Sequence, residues 1–205
     1  MQLADAAGSF LAFLAHLIAG AQGHRHGCPP RAKQRICFAN HQSPFDWVLP
    51  WAALPRDFRE TTRPIAAPDD WTARPLKHWI THEVFNVVYV SRRRTDDKDP
   101  LEPLKQALRN DDSLVIFAEG TRDNGADLAM FKSGLYHHAL ELPQVQLIPA
   151  WICNVRRVMP KGEVIPVPLL CCVTFGAPMS LQQGKAKAAF LHRARGAVIA
   201  LRGVD

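Results

Sequence analysis

A histidine and an aspartate, His41 and Asp46, lie five positions apart where a predicted strand gives way to a predicted helix. A general base held by an acid is what the activation of a hydroxyl group needs. A structural alternative exists, because Ser43, Pro44 and Asp46 also have the spacing of a capping box at a helix start. A cap does not account for the neighbouring His41, so hydroxyl activation by His41 and Asp46 is the first hypothesis.

Other polar residues follow other predicted strands. Arg92 comes after a strand that ends at Val90, Glu119-Gly120-Thr121-Arg122 comes after a strand that ends at Phe117, and Pro149 is placed at the end of a further strand. If the strands are parallel, their carboxyl ends meet in one crevice, where open α/β sheets bind ligands. The pattern therefore predicts one site, although the arginines that begin at Arg92 also fit a solvated turn.

The elements that must position these residues alternate between short apolar runs and helical stretches. Strands are predicted at 35–39, 63–67, 84–90, 113–117, 145–152 and 164–175, and helices at 44–54, 71–81, 98–110, 131–142 and 180–201. This succession is typical of a single α/β domain with a mostly parallel or mixed central sheet flanked by helices, preceded by a short amphipathic N-terminal helix. With 205 residues and 47% hydrophobic content the chain can bury a core. We divide it into 1–34, an N-terminal apolar helix with a basic linker, and 35–205, the domain that carries the site.

The N-terminal stretch 6–21 is apolar, with Phe10, Phe13 and Leu17 at helical spacing. It is shorter than the ~20 apolar residues that a bilayer span requires. Basic residues follow between His24 and Arg35, which suits a helix in the headgroup region of an anionic membrane. The alternative is a first helix packed on the domain, and the same two interpretations apply to the basic C-terminal helix.

The composition of the chain limits the classes of partner and ligand that it is expected to bind. A net charge of +6 favours an anionic partner, namely nucleic acid, a membrane surface or a phosphorylated substrate. The five tryptophans are scattered through apolar segments, so no nucleic-acid partner is expected. The five cysteines form no C-x-x-C pair and are interpreted as reduced, mostly buried thiols. His78 and His82 share a helix face without an evident third ligand, so no metal is expected.

Five blocks of the sequence, in order, resemble the glycerolipid acyltransferases, the family that includes 1-acyl-sn-glycerol-3-phosphate acyltransferase. Residues 40–46 resemble its N-H-x-x-x-x-D motif, and 117–122 are similar to F-P-E-G-T-R, with Ala118 where proline is common. Residues 85–92 resemble a block that ends in arginine, with Asn86 where glycine is frequent. Residues 131–134 resemble an F-K-x-G segment, and 147–152 a proline-containing block. The likeness covers roughly residues 35 to 178.

The resemblance implies that His41 is the general base and that Asp46 orients its imidazole. The acceptor hydroxyl would attack an acyl thioester, either acyl-CoA or acyl-ACP, as co-substrate, without a covalent acyl-enzyme, a metal or another cofactor. By the same likeness an arginine would bind an acceptor phosphate bidentately. Six residues would bind the acceptor, namely Arg92, Glu119, Gly120, Thr121, Arg122 and Lys132.

The implied activity is transfer of a fatty acyl group to the free hydroxyl of a lysophospholipid, with 1-acyl-glycerol-3-phosphate as the leading acceptor and phosphatidic acid as product. Alternatives are another acceptor such as a lyso-ornithine lipid, hydrolysis with water in place of the acceptor, and a non-catalytic membrane lipid-binding protein of the same fold. The expected partners are the thioester donor, including acyl carrier protein, the lysophospholipid and an anionic membrane surface. The expected location is the cytoplasmic face of a membrane, with peripheral or monotopic attachment.

Overall fold

A central sheet organises the chain. The computed structural model describes residues 2–20, 22–29, 34–43, 46–67, 75–90, 99, 101–120, 127–154, 171–182, 184 and 186–204. Over these ranges the strands are β1 (Gln22–Arg25), β2 (Arg35–Ala39), β3 (Thr62–Ala66), β4 (Val88–Tyr89), β5 (Ser113–Phe117), β6 (Gln146–Ile152) and β7 (Cys172–Phe175). They form one seven-stranded sheet in the order β1-β7-β6-β2-β5-β3-β4.

The sheet is mixed. Strand β2 lies between β5 and β6 and is parallel to both, β3 is parallel to β5 and β4, and β7 is antiparallel to β6. The register sets Ala39 opposite Phe117 on one side and opposite Ala150 on the other. The residues that follow β2 and β5 therefore emerge at the same level of the same edge. This architecture confirms the predicted single α/β domain.

Helices cover both faces of the sheet. They are α1 (Gln2–Ala19), α2 (Val48–Ala52), α3 (Arg56–Glu60), α4 (Pro75–Trp79), α5 (Glu102–Arg109), α6 (Gly134–Glu141) and α7 (Lys187–Ile199), and α4 continues into a π-helical turn at Ile80–Val84. Strand β2 is buried on both faces: Cys37 packs with Trp47 and Phe85 on the side of α1 and α2, while Phe38 packs with Phe190 on the side of α7. A strand enclosed in this way needs a continuous apolar run, which is why β2 was predicted correctly from sequence.

Several predicted elements differ from the observed ones. The strand expected at 84–90 is reduced to β4, because Val84 still belongs to the π-helical turn and Asn86 has a positive φ of 47°. Regular helix α2 begins at Val48, and Pro44 and Phe45 lie outside the described residues. Strand β1 was not predicted and carries His24 and Arg25, so part of the basic stretch expected in a linker forms an edge strand. Pro149 lies in the middle of β6 and not at its end.

The cysteines divide into two groups. A disulfide joins Cys153 to Cys172 where β6 and β7 pair, with Cα atoms 5.4 Å apart. The prediction of reduced cysteines is wrong for this pair, because sequence spacing does not show which residues antiparallel strands bring together. Cys28, Cys37 and Cys171 are free and buried, as predicted. Burial raises the pKa of Cys37 to about 12 and that of Cys171 to about 11, so both are thiols at neutral pH.

Helix α1 packs small residues and the partly buried Leu11 inward and leaves four large apolar residues exposed. Ala12 is buried, and a Cβ added at Gly8 would lie 3.3 Å from Val84. The exposed apolar side chains are Leu3 (74% exposed), Phe10 (60%), Phe13 (61%) and Leu17 (67%). The helix therefore packs on the domain and still presents an apolar face. Among the helices that the structure describes, none has the length and apolarity that crossing a membrane would take.

The basic C-terminal helix, α7, belongs to the core. Phe190, Ala194 and Val198 are buried against the sheet, which confirms the packing interpretation. Two of its arginines bind backbone carbonyls: Arg193 binds Ser180, and Arg195 binds Leu128. These contacts are intramolecular, so the charges of the two side chains help to fix loops of the domain.

Candidate active site

His41 lies at the carboxyl end of β2, two residues beyond the last residue of that strand. Its imidazole stacks on the Phe117 ring, with ring centroids 4.3 Å apart and an interplanar angle of 14°. The side chain is 17% exposed. Phe117 ends the neighbouring strand β5, so the parallel pairing of β2 and β5 provides the surface on which the imidazole rests.

Asp46 holds the imidazole from the other side. Nδ1 of His41 lies 2.8 Å from Oδ2 of Asp46, whose carboxylate is fully buried. The same oxygen accepts hydrogen bonds from the backbone N–H groups of Gln42 and of Ser43, the latter at 2.8 Å. A carboxylate can only accept, so in the neutral imidazole Nδ1 carries the proton and Nε2 can take one. Within the described part of the chain nothing hydrogen-bonds to Nε2 of His41, which suits it to act as a base.

The capping-box alternative is not met in full, because helix α2 begins only at Val48 with Trp47 as its N-cap. Asp46 nevertheless keeps one element of that pattern. Its bond to the Ser43 N–H is the one that the acid of a capping box makes. Burial raises the pKa of the Asp46 carboxyl, while His41 and the N–H groups of Ser43 and Gln42 oppose that rise. The backbone bonds thus stabilise a buried negative charge at the position where a protonated imidazole would need it.

The side chain of Glu119 contacts the backbone of His41. Its Oε1 accepts the His41 N–H at 2.7 Å, and its Oε2 accepts the Ala129 N–H at 3.0 Å. The residue is 2% exposed. The motif had suggested contact with the acceptor, whereas these two bonds connect the end of β5 to the end of β2 and to the segment before α6.

Asn40 is a site residue whose role the motif alone did not reveal. Its side chain is fully buried, donates to the Ile152 carbonyl at 3.1 Å and accepts the Ile152 N–H at 2.7 Å. The available signal was a polar residue directly after a buried strand, since a buried amide needs partners. Asn40 therefore fastens the end of β2 to β6, immediately before His41.

Gly120 and Lys132 lie together at the end of β5. Gly120 has a positive φ of 74°, and a Cβ at this position would lie 3.1 Å from Cγ of Lys132. The Lys132 N–H donates to the Ala118 carbonyl at 2.7 Å. The exposed Lys132 side chain thus crosses the glycine turn, where its charge is available to an anion.

Three predicted acceptor residues, Arg92, Thr121 and Arg122, lie outside the described residues, so their roles stay predictions. The rings of His78 and His82 are 5.7 Å apart. In the ranges that the structure covers, no three histidine, cysteine, aspartate or glutamate residues come together as metal ligands.

The sequence of the chain is similar to those of known acyltransferases. A family model described as Acyltransferase matches residues 25–153, which include His41, Asp46, Glu119 and Lys132. The chain is 30% identical to 1-acyl-sn-glycerol-3-phosphate acyltransferase alpha of Homo sapiens over 146 residues, which cover 67% of this chain and 47% of that protein. It is 27% identical to 1-acyl-sn-glycerol-3-phosphate acyltransferase of Haemophilus influenzae over 135 residues, 63% of this chain and 52% of that protein. The chain spans about half the length of these curated relatives.

A solved structure shares the fold. The crystal structure of the 1-acyl-sn-glycerophosphate (LPA) acyltransferase PlsC from Thermotoga maritima matches 98% of this chain and 79% of that chain, with a TM-score of 0.69. Sequence identity to it is 18%, so the likeness concerns the fold alone. The family model, by contrast, spans more than half of the chain and contains both His41 and Asp46. This chain therefore belongs to the glycerolipid acyltransferase family.

Proposed function

We propose that this protein transfers a fatty acyl group from an acyl thioester to the free hydroxyl of a lysophospholipid, with 1-acyl-glycerol-3-phosphate as the acceptor and phosphatidic acid as the product. The observation that carries the proposal is the 2.8 Å contact between Nδ1 of His41 and the buried carboxylate of Asp46. It leaves Nε2 as a base at the ligand-binding edge of the sheet. The printed names of the relatives, 1-acyl-sn-glycerol-3-phosphate acyltransferases, support this acceptor.

The reaction needs one proton to travel through His41. Nε2 takes the proton of the acceptor hydroxyl as its oxygen attacks the thioester carbonyl carbon. The resulting tetrahedral oxyanion collapses, the carbon–sulfur bond breaks, and the departing thiolate takes the proton from the imidazolium. Asp46 stabilises the imidazolium between these two steps, which is the role of the carboxylate in histidine-based acyl transfer.

Acceptor binding is proposed to depend on cations at the same edge. Lys132 lies across the Gly120 turn, where an ammonium can neutralise a phosphate. Arg92 and Arg122 are proposed to supply bidentate contacts to that phosphate. The donor is proposed to be acyl-CoA or acyl-ACP, both of which present the same thioester to His41.

Attachment to the cytoplasmic face of a membrane is proposed to occur through α1. Its exposed apolar side chains, among them Phe10 and Phe13, suit insertion into the interfacial region of a bilayer. A net charge of +6 adds attraction to anionic lipid. Peripheral binding of this kind would bring His41 to an acceptor that is itself amphiphilic.

The test is thiol release from acyl-CoA and from acyl-ACP, measured with a panel of lysolipids for wild type, His41→Ala and Asp46→Asn. We expect both variants to lose turnover by about 10³-fold or more while circular dichroism remains unchanged, because the base or its orientation is lost. His137→Ala changes an exposed histidine on α6 and is the matched control, with expected wild-type turnover.

The same assay separates the alternatives. A preference for a phosphate-free lysolipid would exclude phosphatidic acid as the main product. Thiol release that needs no acceptor would indicate hydrolysis, and vesicle binding without any turnover would indicate a lipid-binding protein. Wild-type turnover in His41→Ala would refute the proposed chemistry altogether.

A further inference from the structure

We infer that Glu119 is a positioning residue that acts on the reaction through the backbone of His41. The inference rests on the proposed function, because it assigns Glu119 to the orientation of the base. It differs from the role that the sequence motif suggests, in which the carboxylate binds the acceptor. The two roles predict different kinetic defects, so they can be separated.

The geometry of the carboxylate supports this role. Its two oxygens accept the His41 N–H at 2.7 Å and the Ala129 N–H at 3.0 Å, and the residue is 2% exposed. Hydrogen bonds to an ionised acceptor are short and about twice as strong as neutral ones. The backbone pairing of β2 with β5 ends at Ala39 and Phe117. Beyond that point the Glu119 side chain continues the connection between the two strands.

The second oxygen of Glu119 is anchored to a fixed part of the domain. The Leu128 carbonyl, next to Ala129, accepts two hydrogen bonds from the Arg195 guanidinium, at 2.8 Å from Nε and 2.6 Å from Nη2. Arg195 lies on α7, beside the fully buried Ala194. Glu119 therefore ties the His41 backbone to a segment that the C-terminal helix holds in place.

His41 is thus restrained from both neighbouring strands. Asn40 binds Ile152 of β6 on one side, and Glu119 extends from β5 on the other. The imidazole is then confined between the Phe117 ring and Asp46. A displacement of about 1 Å in a reacting group can cost about 100-fold in rate, so the backbone restraint matters for catalysis.

The kinetic test is Glu119→Gln. Glutamine has the same size but one amide NH₂ group, so it can accept a hydrogen bond from only one of the two backbone N–H groups and opposes the other with a donor. We expect kcat to fall about 100-fold while KM for the acceptor stays within about threefold. An acceptor-binding role predicts the reverse pattern, a raised acceptor KM with kcat retained, and that result would overturn the inference.

Two further variants support the kinetic comparison of Glu119→Gln with wild type. Glu119→Asp keeps the charge but is shorter by one methylene group, and we expect an intermediate loss that is again confined to kcat. Glu102→Gln changes an exposed carboxylate on α5 and is the matched control, with expected wild-type kcat and KM. If Glu119→Gln does not fold, the kcat and KM of Glu119→Asp distinguish the positioning role from the acceptor-binding role.

A measurement that does not need turnover tests the contact itself. In protein labelled with ¹⁵N-histidine, the His41 backbone amide is identified by its absence in His41→Ala. We expect its proton resonance far downfield in wild type, as for a short bond to a carboxylate, and shifted upfield in Glu119→Gln. An unchanged His41 amide in folded Glu119→Gln would refute the contact. Absence of turnover in the wild type would refute the proposed function instead, so the two failures are distinguishable.

Discussion

At the scale of single residues, the site depends on two buried carboxylates that accept backbone N–H groups. Asp46 accepts from Gln42 and Ser43 as well as from the His41 ring, and Glu119 accepts from the His41 backbone. The first carboxylate could be predicted from sequence because one short motif contains both it and the histidine. The second contact joins residues 78 positions apart, so it depends on the strand order, which the sequence pattern does not specify.

His138 on α6 gives a prediction about pH and stability. The residue is 3% exposed, and burial lowers its pKa to about 4 from 6.5, with Glu141 partly opposing that effect. The unfolded chain therefore binds a proton below about pH 6.5 that the folded chain binds only near pH 4. The contribution of neutral His138 to the free energy of unfolding is therefore fully present above pH 6.5. It is lost as the pH falls toward 4, by at most about 1.4 kcal/mol per pH unit.

The measurement is the free energy of unfolding from pH 7 to pH 4.5 for wild type and His138→Gln. We expect a shallower loss of stability on acidification in the variant, because its side chain does not titrate. His137→Gln, at the adjacent exposed position, should keep the wild-type slope. Equal slopes for His138→Gln and wild type would contradict the assignment.

At the scale of elements, Asn86 lies just past the end of the π-helical turn, in the short connection to β4. Asn86 has φ 47°, a left-handed conformation that glycine and asparagine adopt more easily than other residues. This explains how asparagine can occupy a position at which the resemblance to the family's motif led us to expect glycine. In the amide orientation that satisfies both partners, its side chain donates to the His82 carbonyl at 3.3 Å and accepts from Arg63 at 2.8 Å.

The loss of stability on substituting Asn86 should therefore depend more on backbone strain than on side-chain size. We expect Asn86→Ala to lower the free energy of unfolding by about 1–2 kcal/mol, since alanine resists the left-handed region, and Asn86→Gly to lower it less. Asn110→Ala is the control, because Asn110 ends α5 with an ordinary φ of −85°. Denaturant unfolding measures all three, and an equal cost for alanine and glycine at position 86 would argue against strain.

The elements that sequence predicted well are those with a clear burial pattern. Strands β2 and β5 have the predicted bounds, because each is an apolar run enclosed by helices. Strand β1 could not be predicted, since its residues Gln22–Arg25 are polar and become a strand only by pairing with β7. The π-helical turn at Ile80–Val84 and the positive φ of Asn86 are likewise backbone conformations that apolar periodicity does not encode.

At the scale of the whole molecule, the exposed apolar face of α1 predicts how the protein meets a bilayer. The helix packs Gly8 and Ala12 toward the domain, so Phe10 and Phe13 point outward without a role in the core. Burying a phenylalanine side chain in an apolar phase is worth about 1.5–3 kcal/mol. We expect the double variant Phe10→Ser, Phe13→Ser to lose at least about tenfold in partitioning to vesicles of phosphatidylcholine and phosphatidylglycerol, with its thermal midpoint unchanged.

Flotation of the protein with these vesicles measures the loss, and Leu140→Ser provides the matched control. Leu140 is 54% exposed on α6, so its removal takes away a comparable exposed apolar group outside α1. An interfacial α1 predicts that only the phenylalanine variant detaches, and that added salt weakens the remaining binding through the anionic lipid. Equal losses in the two variants would mean that exposed apolar area in general, and not α1, drives attachment. Full binding by the phenylalanine variant would place the membrane contact elsewhere on the molecule.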